Sequence, residues 1–218
     1  MEKSYFKGKK AVFLGDSITY GQAGLKDSDR VYHQVLKRSL ELREAVNYGI
    51  NGSRIAHQEL EQNGGAMCRR FATMDEDADI VVLLGGVNDF GHGTAAFGQF
   101  SDRCEDTFYG ACHVLMGGLV KKYTDRTIVI MTPVHYAVEL SPERAKNAAT
   151  GKTLAQYVSA IKEVAAYYAI PVLDLYATSG IVPYVEENRA LYAPDGLHPN
   201  EAGHERIAKR LEGFLISL

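Results

Sequence analysis

Five short runs of aliphatic residues recur along the chain, and turn-forming residues follow each of them. The runs cover residues 11–14, 45–48, 80–84, 127–131 and 170–173. Continuous aliphatic runs of this length, bounded by turn residues, are typical of strands that are buried on both faces of a parallel sheet. The pattern therefore predicts five buried strands.

Apolar residues at helical spacing lie between these runs. They comprise Val31, Val35, Leu36 and Leu40; Leu154, Tyr157, Val158, Ile161 and Val164; and Ile207, Leu211 and Leu215. A further helix is predicted around residues 104–123. Alternation of strands and helices indicates a parallel sheet with helices on both sides. No repeat or linker divides the sequence, so we expect residues 1–218 to form a single domain.

Composition and charge narrow the function classes. The 218 residues are 46% hydrophobic and 23% charged, with a net charge of −3. These are ordinary values for a globular protein, and the charge argues against a nucleic-acid partner. No apolar run approaches the roughly 20 residues that span a bilayer, so no membrane partner is expected. The three cysteines lack paired spacing and the N-terminus lacks an apolar leader, which together favour a cytoplasmic protein with reduced thiols.

A candidate nucleophile follows the first strand, in Gly15-Asp16-Ser17. A serine at a strand-to-helix turn often does no more than cap the next helix. The α/β-hydrolase motif Gly-x-Ser-x-Gly does not fit, because position 19 is Thr. If Ser17 is a nucleophile, it belongs to a different scaffold and needs a base to activate its hydroxyl.

Three histidines could supply that base. His92 and His135 follow the third and fourth strands, and His198 lies in Asp195-Gly196-Leu197-His198. A carboxylate three residues before an imidazole can fold back onto its Nδ1–H and leave Nε2 free to take a proton. Asp195 is therefore the first choice of acid, and Asp174, at the end of the fifth strand, is the second.

Two strand ends offer donors for an oxyanion, as acyl transfer requires. Gly52 follows the second strand and Asn88 follows the third. In an open sheet with strand order 2-1-3-4-5, the first three strands are neighbours, so Ser17, Gly52 and Asn88 are expected to converge at one edge.

Two other patterns carry little weight. The glycine-rich run at residues 91–96 lacks the strand–turn–helix context of a dinucleotide site. His198 and His204 lie beside Pro199 and the cap of the last helix and have no third ligand in view, so the pair does not indicate a metal site. We expect neither a cofactor nor a metal.

Four blocks of the sequence together resemble those of the SGNH hydrolases, also called GDSL-type esterases and lipases. The blocks, in order, are Gly15-Asp16-Ser17, Gly52, Gly86-Val87-Asn88-Asp89 and Asp195-Gly196-Leu197-His198. The resemblance implies a flavodoxin-like three-layer α/β/α sandwich with a five-stranded parallel sheet of order 2-1-3-4-5.

The same resemblance implies roles for these residues. Ser17 would be the nucleophile, His198 the base and Asp195 its orienting acid. The oxyanion hole would consist of the N–H groups of Ser17 and Gly52 and the side chain of Asn88.

The expected activity is hydrolysis of short-chain esters, acetyl esters above all, of a carbohydrate or another polar alcohol. Polar residues in the loops at 85–103 and 135–150 favour hydroxyl recognition, with Phe90, Phe97 or Tyr136 available to stack on a sugar. In the opposing interpretation, Phe90, Phe97, Phe100 and Tyr184 close over a long acyl chain. A lysophospholipase or thioesterase, an acyltransferase and a catalytically silent acyl-sugar-binding module are the alternatives. The sequence predicts no oligomeric state.

Overall fold

The computed structural model describes residues 1–21, 25, 28–58 and 65–218. Its centre is a parallel sheet of five strands in the order β2-β1-β3-β4-β5, which confirms the predicted order. The strands are β1 Lys10–Gly15, β2 Glu44–Gly49, β3 Ile80–Leu84, β4 Thr127–Met131 and β5 Val172–Leu173. The helices are α1 Ser17–Tyr20, α2 Tyr32–Ser39, α3 Met67–Arg70, α4 Val87–His92, α5 Phe108–Lys122, α6 Leu154–Tyr167, α7 Leu175–Thr178, α8 Glu186–Tyr192 and α9 Glu201–Ser217.

Alternate residues of the central strands supply two separate cores, one on each face of the sheet. Phe13 and Val82 pack on one face with the apolar residues of α2 and α9. Val12 and Val81 point to the other face and pack with those of α5 and α6. This alternation follows from the two-residue repeat of a strand. The fold is therefore the predicted three-layer α/β/α arrangement.

Strand β2 departs from the prediction that every strand is buried on both faces. Within the described residues it pairs with β1 alone, at the edge of the sheet, and its residues Glu44 and Asn47 are exposed. The prediction was wrong here because an edge strand keeps a polar side toward solvent, and the run at 45–48 already contains Asn47. Strand β5 is also shorter than the run at 170–173 suggested, with two residues in the sheet.

The register brings the carboxyl ends of the strands to one edge. Gly15 of β1 lies opposite both Gly49 of β2 and Leu84 of β3. Loops after parallel strands emerge at this edge, where open α/β sheets bind their ligands. Within the described part of the chain, no helix is long and apolar enough to cross a membrane.

Candidate active site

Ser17 is the first residue of α1, directly beyond the end of β1. The Asp16 carboxylate caps this helix by accepting from the Ile18 N–H at 3.0 Å. Gly15 permits the tight entry, since a Cβ there would lie 2.1 Å from Thr19 Oγ1. The N–H groups of a first helical turn have no acceptor within the helix. Ser17 therefore presents both a hydroxyl and a backbone donor at the sheet edge.

His198 contacts the Ser17 hydroxyl from a loop between α8 and α9. The distance from Ser17 Oγ to His198 Nε2 is 2.9 Å, and His198 Nδ1 lies 2.7 Å from Asp195 Oδ2. The chain turns between the two residues at Gly196, whose φ is +88°. The loop is held from outside by the Ala137 N–H, which donates to the Gly196 carbonyl at 2.9 Å.

The Asp195 carboxylate is held in its ionised form. Burial alone would raise the pKa of Asp195, but hydrogen bonds from the Leu197 and His198 N–H groups and from the His198 ring keep that pKa below its usual value. An ionised carboxylate can only accept, so the proton of a neutral His198 sits on Nδ1 and Nε2 accepts from Ser17. This is the tautomer that proton abstraction from a serine requires.

Asn88 contacts the loop that contains Gly52. Asn88 is buried in α4, and its Nδ2 donates to the carbonyl of Ser53 at 3.1 Å. Gly52 has a φ of +72°, which a side chain rarely tolerates, and it turns the chain back after β2. Asn88 thus contacts the residue that directly follows Gly52, so two of the three residues of the predicted oxyanion hole lie near each other.

The other candidate residues have different partners. The Asp174 carboxylate accepts from Thr132 Oγ1 and the Ala177 N–H and pairs with Lys162, so it serves as the cap of α7. His135 Nδ1 lies 3.0 Å from Glu139 Oε1. His92 contacts Asn88 rather than Ser17. Of the three histidines considered, His198 is the one that reaches the Ser17 hydroxyl.

Two buried carboxyl groups lie directly beneath the site. Burial raises the pKa of Asp16 to about 7, against the effects of the Ile18 N–H and the nearby His198. Burial also raises the pKa of Asp89 to about 6, although the N–H groups of Ala56 and Ile55 donate to it at 3.0 and 2.9 Å. Asp89 thereby fixes the loop after Gly52, so it is not the surface group for binding hydroxyls that the loop composition suggested.

Arg70 is a residue of the site that the sequence did not reveal. Its guanidinium donates to the carbonyls of Gly15 and Tyr48, at the ends of β1 and β2, and to Ser53 Oγ. The side chain therefore joins the nucleophile turn to the Gly52 loop. No sequence motif marks it, because these contacts exist only once the two strands pair.

The predicted aromatic residues divide between the core and the surface. Phe90 is buried against Tyr157, so it cannot stack on a sugar as proposed, whereas Phe97 is half-buried and packs against Phe108 and Tyr157. Tyr184 stays 39% exposed, with its ring 5.4 Å from that of His135. Within the described residues, no three His, Cys, Asp or Glu side chains are grouped as a metal site would require.

The sequence and the fold are both similar to those of known proteins. The profile of the GDSL-like Lipase/Acylhydrolase family matches residues 13–206. A solved structure from Lactobacillus plantarum is 32% identical, with a TM-score of 0.86 over 97% of this chain and 98% of that one. No curated protein matches the sequence.

Two more distant structures share the fold. A possible lipase from Chitinophaga pinensis is 23% identical, with a TM-score of 0.70 over 96% of this chain and 98% of that one. A carbohydrate acetylesterase family member from Sinorhizobium meliloti is 18% identical, with a TM-score of 0.66 over 96% of this chain and all of that one.

Proposed function

Because this chain belongs to the GDSL-like lipase/acylhydrolase family, we propose that it hydrolyses carboxylic esters through an acyl-enzyme formed on Ser17. The observation that carries the proposal is the continuous hydrogen-bond chain from Ser17 Oγ through His198 to Asp195, at 2.9 and 2.7 Å. A serine hydroxyl bonded to an imidazole that a carboxylate orients is the arrangement that nucleophilic catalysis needs.

The reaction proceeds in two acyl-transfer steps. Ser17 Oγ attacks the ester carbonyl carbon while His198 Nε2 accepts the hydroxyl proton. The tetrahedral adduct then collapses, and the same imidazole gives that proton to the departing alcohol. A water molecule next loses its proton to His198 and attacks the acyl group on Ser17. Collapse of the second adduct releases the acid and returns the proton to Ser17, with Asp195 ionised throughout.

The developing oxyanion is stabilised by three donors at the carboxyl edge of the sheet. They are the N–H groups of Ser17 and Gly52 and the Asn88 side chain, whose Nδ2 carries a second proton besides the one given to Ser53. Donors that are fixed before the reaction stabilise the charge without reorganisation. Asp89 and Arg70 support this side of the site by fixing the Gly52 loop.

Replacement of Asn88 is expected to slow the chemical step. In Asn88→Ala, kcat should fall by about 10²–10³, the usual effect of removing one oxyanion donor, while KM changes little. Steady-state kinetics with p-nitrophenyl acetate measure this, and the melting temperature checks that the fold is retained. An unchanged kcat in a folded variant would remove Asn88 from the oxyanion hole.

The acyl group is short, and the alcohol is polar. Of the four aromatic residues that could have lined a long-chain groove, Phe90, Phe97 and Phe100 pack against other aromatic rings instead, and Tyr184 is exposed beside His135. Each buried CH₂ of an acyl chain contributes about 0.8 kcal/mol, so a long chain requires an apolar groove. The Sinorhizobium meliloti neighbour, a carbohydrate acetylesterase family member, also supports an acetylated carbohydrate as the substrate class.

A substrate screen tests this choice. We expect kcat/KM for p-nitrophenyl esters to be highest at C2–C4 and to fall toward C16, and we expect acetate release from acetylated sugars. A kcat/KM that climbs steadily to C12, without acetate release, would contradict a short acyl group and favour a lysophospholipase. Parallel assays with an added alcohol acceptor separate hydrolysis from acyl transfer.

A further inference from the structure

The orientation of the Asn88 amide decides whether this residue can stabilise an oxyanion. Its nitrogen can donate to a negative oxygen, whereas its oxygen would repel one. Nδ2 donates to the carbonyl of Ser53 at 3.1 Å, which holds one end of the amide. The other end, Oδ1, lies 3.1 Å from Nε2 of His92. Both ends of the side chain therefore have a partner.

His92 reaches Asn88 because the two residues lie four positions apart on α4. Side chains at this spacing share one face of a helix. The helix begins after Gly86, whose φ of +107° turns the chain out of β3. His92 is exposed, so its contact with Asn88 is not a by-product of packing in the core.

Arg54 determines which nitrogen of His92 carries the proton. Arg54 Nη1 lies 3.1 Å from His92 Nδ1. A guanidinium has donors and no acceptor, so Nδ1 must be the unprotonated nitrogen. The proton of neutral His92 then sits on Nε2, where it is donated to Asn88 Oδ1. Partial desolvation and the charge of Arg54 also lower the pKa of His92, which favours the neutral ring.

We propose that His92 is a positioning residue, set by Arg54, that holds the Asn88 amide with its nitrogen toward the oxyanion. The proposal rests on the proposed function for its catalytic consequence. Its structural part, a chain of donors from Arg54 through His92 to Asn88, stands independently of any activity.

The tautomer of His92 tests the structural part. Nitrogen NMR of ¹⁵N-histidine-labelled protein distinguishes a protonated from an unprotonated ring nitrogen, and His92→Gln identifies the signals by their loss. We expect neutral His92 to be protonated at Nε2. Protonation at Nδ1 would overturn the proposal whether or not the protein hydrolyses esters.

Paired substitutions test the catalytic part. Gln places a donor near the position of His Nε2, whereas Asn places its polar atoms near Nδ1. We expect kcat to fall about five- to tenfold in His92→Asn and His92→Ala, with KM unchanged, and to stay within about twofold of wild type in His92→Gln. Equal kcat in all three variants, or a change confined to KM, would overturn the role.

A double-mutant cycle shows whether His92 acts through Asn88. In the Asn88→Ala background, His92→Ala should cause no further loss, because the amide it positions is gone. The same fold loss in both backgrounds would contradict the proposal. If wild type and Ser17→Ala show equal hydrolysis, the proposed function fails, and the NMR result alone then decides the His92–Asn88 contact.

Discussion

Ser17→Ala is expected to abolish ester hydrolysis, with kcat reduced by on the order of 10⁵–10⁶. The substitution removes the atom that forms the acyl-enzyme and the partner that His198 Nε2 contacts at 2.9 Å. It removes a single oxygen, so the fold should be retained. The measurement is the hydrolysis of p-nitrophenyl acetate in the pre-steady state and at steady state, where both the acylation burst and the turnover should disappear.

Ser159→Ala provides the matched control. Ser159 is exposed on α6, and its hydroxyl donates to the Ala155 carbonyl within the same helix. We expect wild-type kinetics from this variant. Wild-type turnover in Ser17→Ala would refute Ser17 as the nucleophile and with it the proposed mechanism.

Asp195→Asn is expected to lower kcat by about 10⁴ while the protein remains folded. An amide at this position can donate to His198 Nδ1, which then carries no proton. Nε2 becomes the protonated nitrogen and can no longer accept from Ser17. The substitution also removes the negative charge that stabilises the imidazolium. Steady-state kinetics across pH measure the loss.

Asp174→Asn is the matched control, because it makes the same Asp-to-Asn change at the second candidate for the acid that orients His198. Asp174 bonds Thr132, the Ala177 N–H and Lys162, so its substitution should reduce stability more than kcat. If Asp174→Asn loses activity and Asp195→Asn keeps it, the acid assignment is wrong.

The strand order and the layers could be predicted because they depend on local patterns. Central strands of a parallel sheet are apolar along most of their length, and the runs at 80–84 and 127–131 match β3 and β4 residue for residue. The edge position of β2 depends on which strands pair. Asn47 is the one polar residue in the run at 45–48 that indicates an exposed strand.

Contacts between residues that are close in sequence could also be predicted. Asp195 and His198 are three residues apart, and the turn at Gly196 brings them together without any long-range information. Arg70 and Asp89 differ in this respect. Arg70 contacts Ser53 and Gly15, which lie 17 and 55 residues away in the sequence. Asp89 contacts Ile55 and Ala56, which lie 34 and 33 residues away. The roles of both residues therefore depend on the folded sheet.

The aromatic residues show why composition is a poor guide to a binding surface. Phe90 and Phe97 occur in a polar, glycine-rich segment, which suggested an exposed loop. In the structure Val87–His92 is a short helix whose apolar side, with Phe90, faces Tyr157 of α6. Burial of the Phe90 ring stabilises the fold and takes this ring out of the site.

Covalent labelling by a fluorophosphonate tests most directly whether Ser17 is an activated nucleophile. The protein is incubated with the probe, its intact mass is measured, and the labelled tryptic peptide is sequenced by mass spectrometry. We expect one adduct per chain, on Ser17 within the peptide of residues 11–26, and none on Ser17→Ala. An adduct on another residue, or no adduct on wild-type protein that hydrolyses esters, would contradict the account.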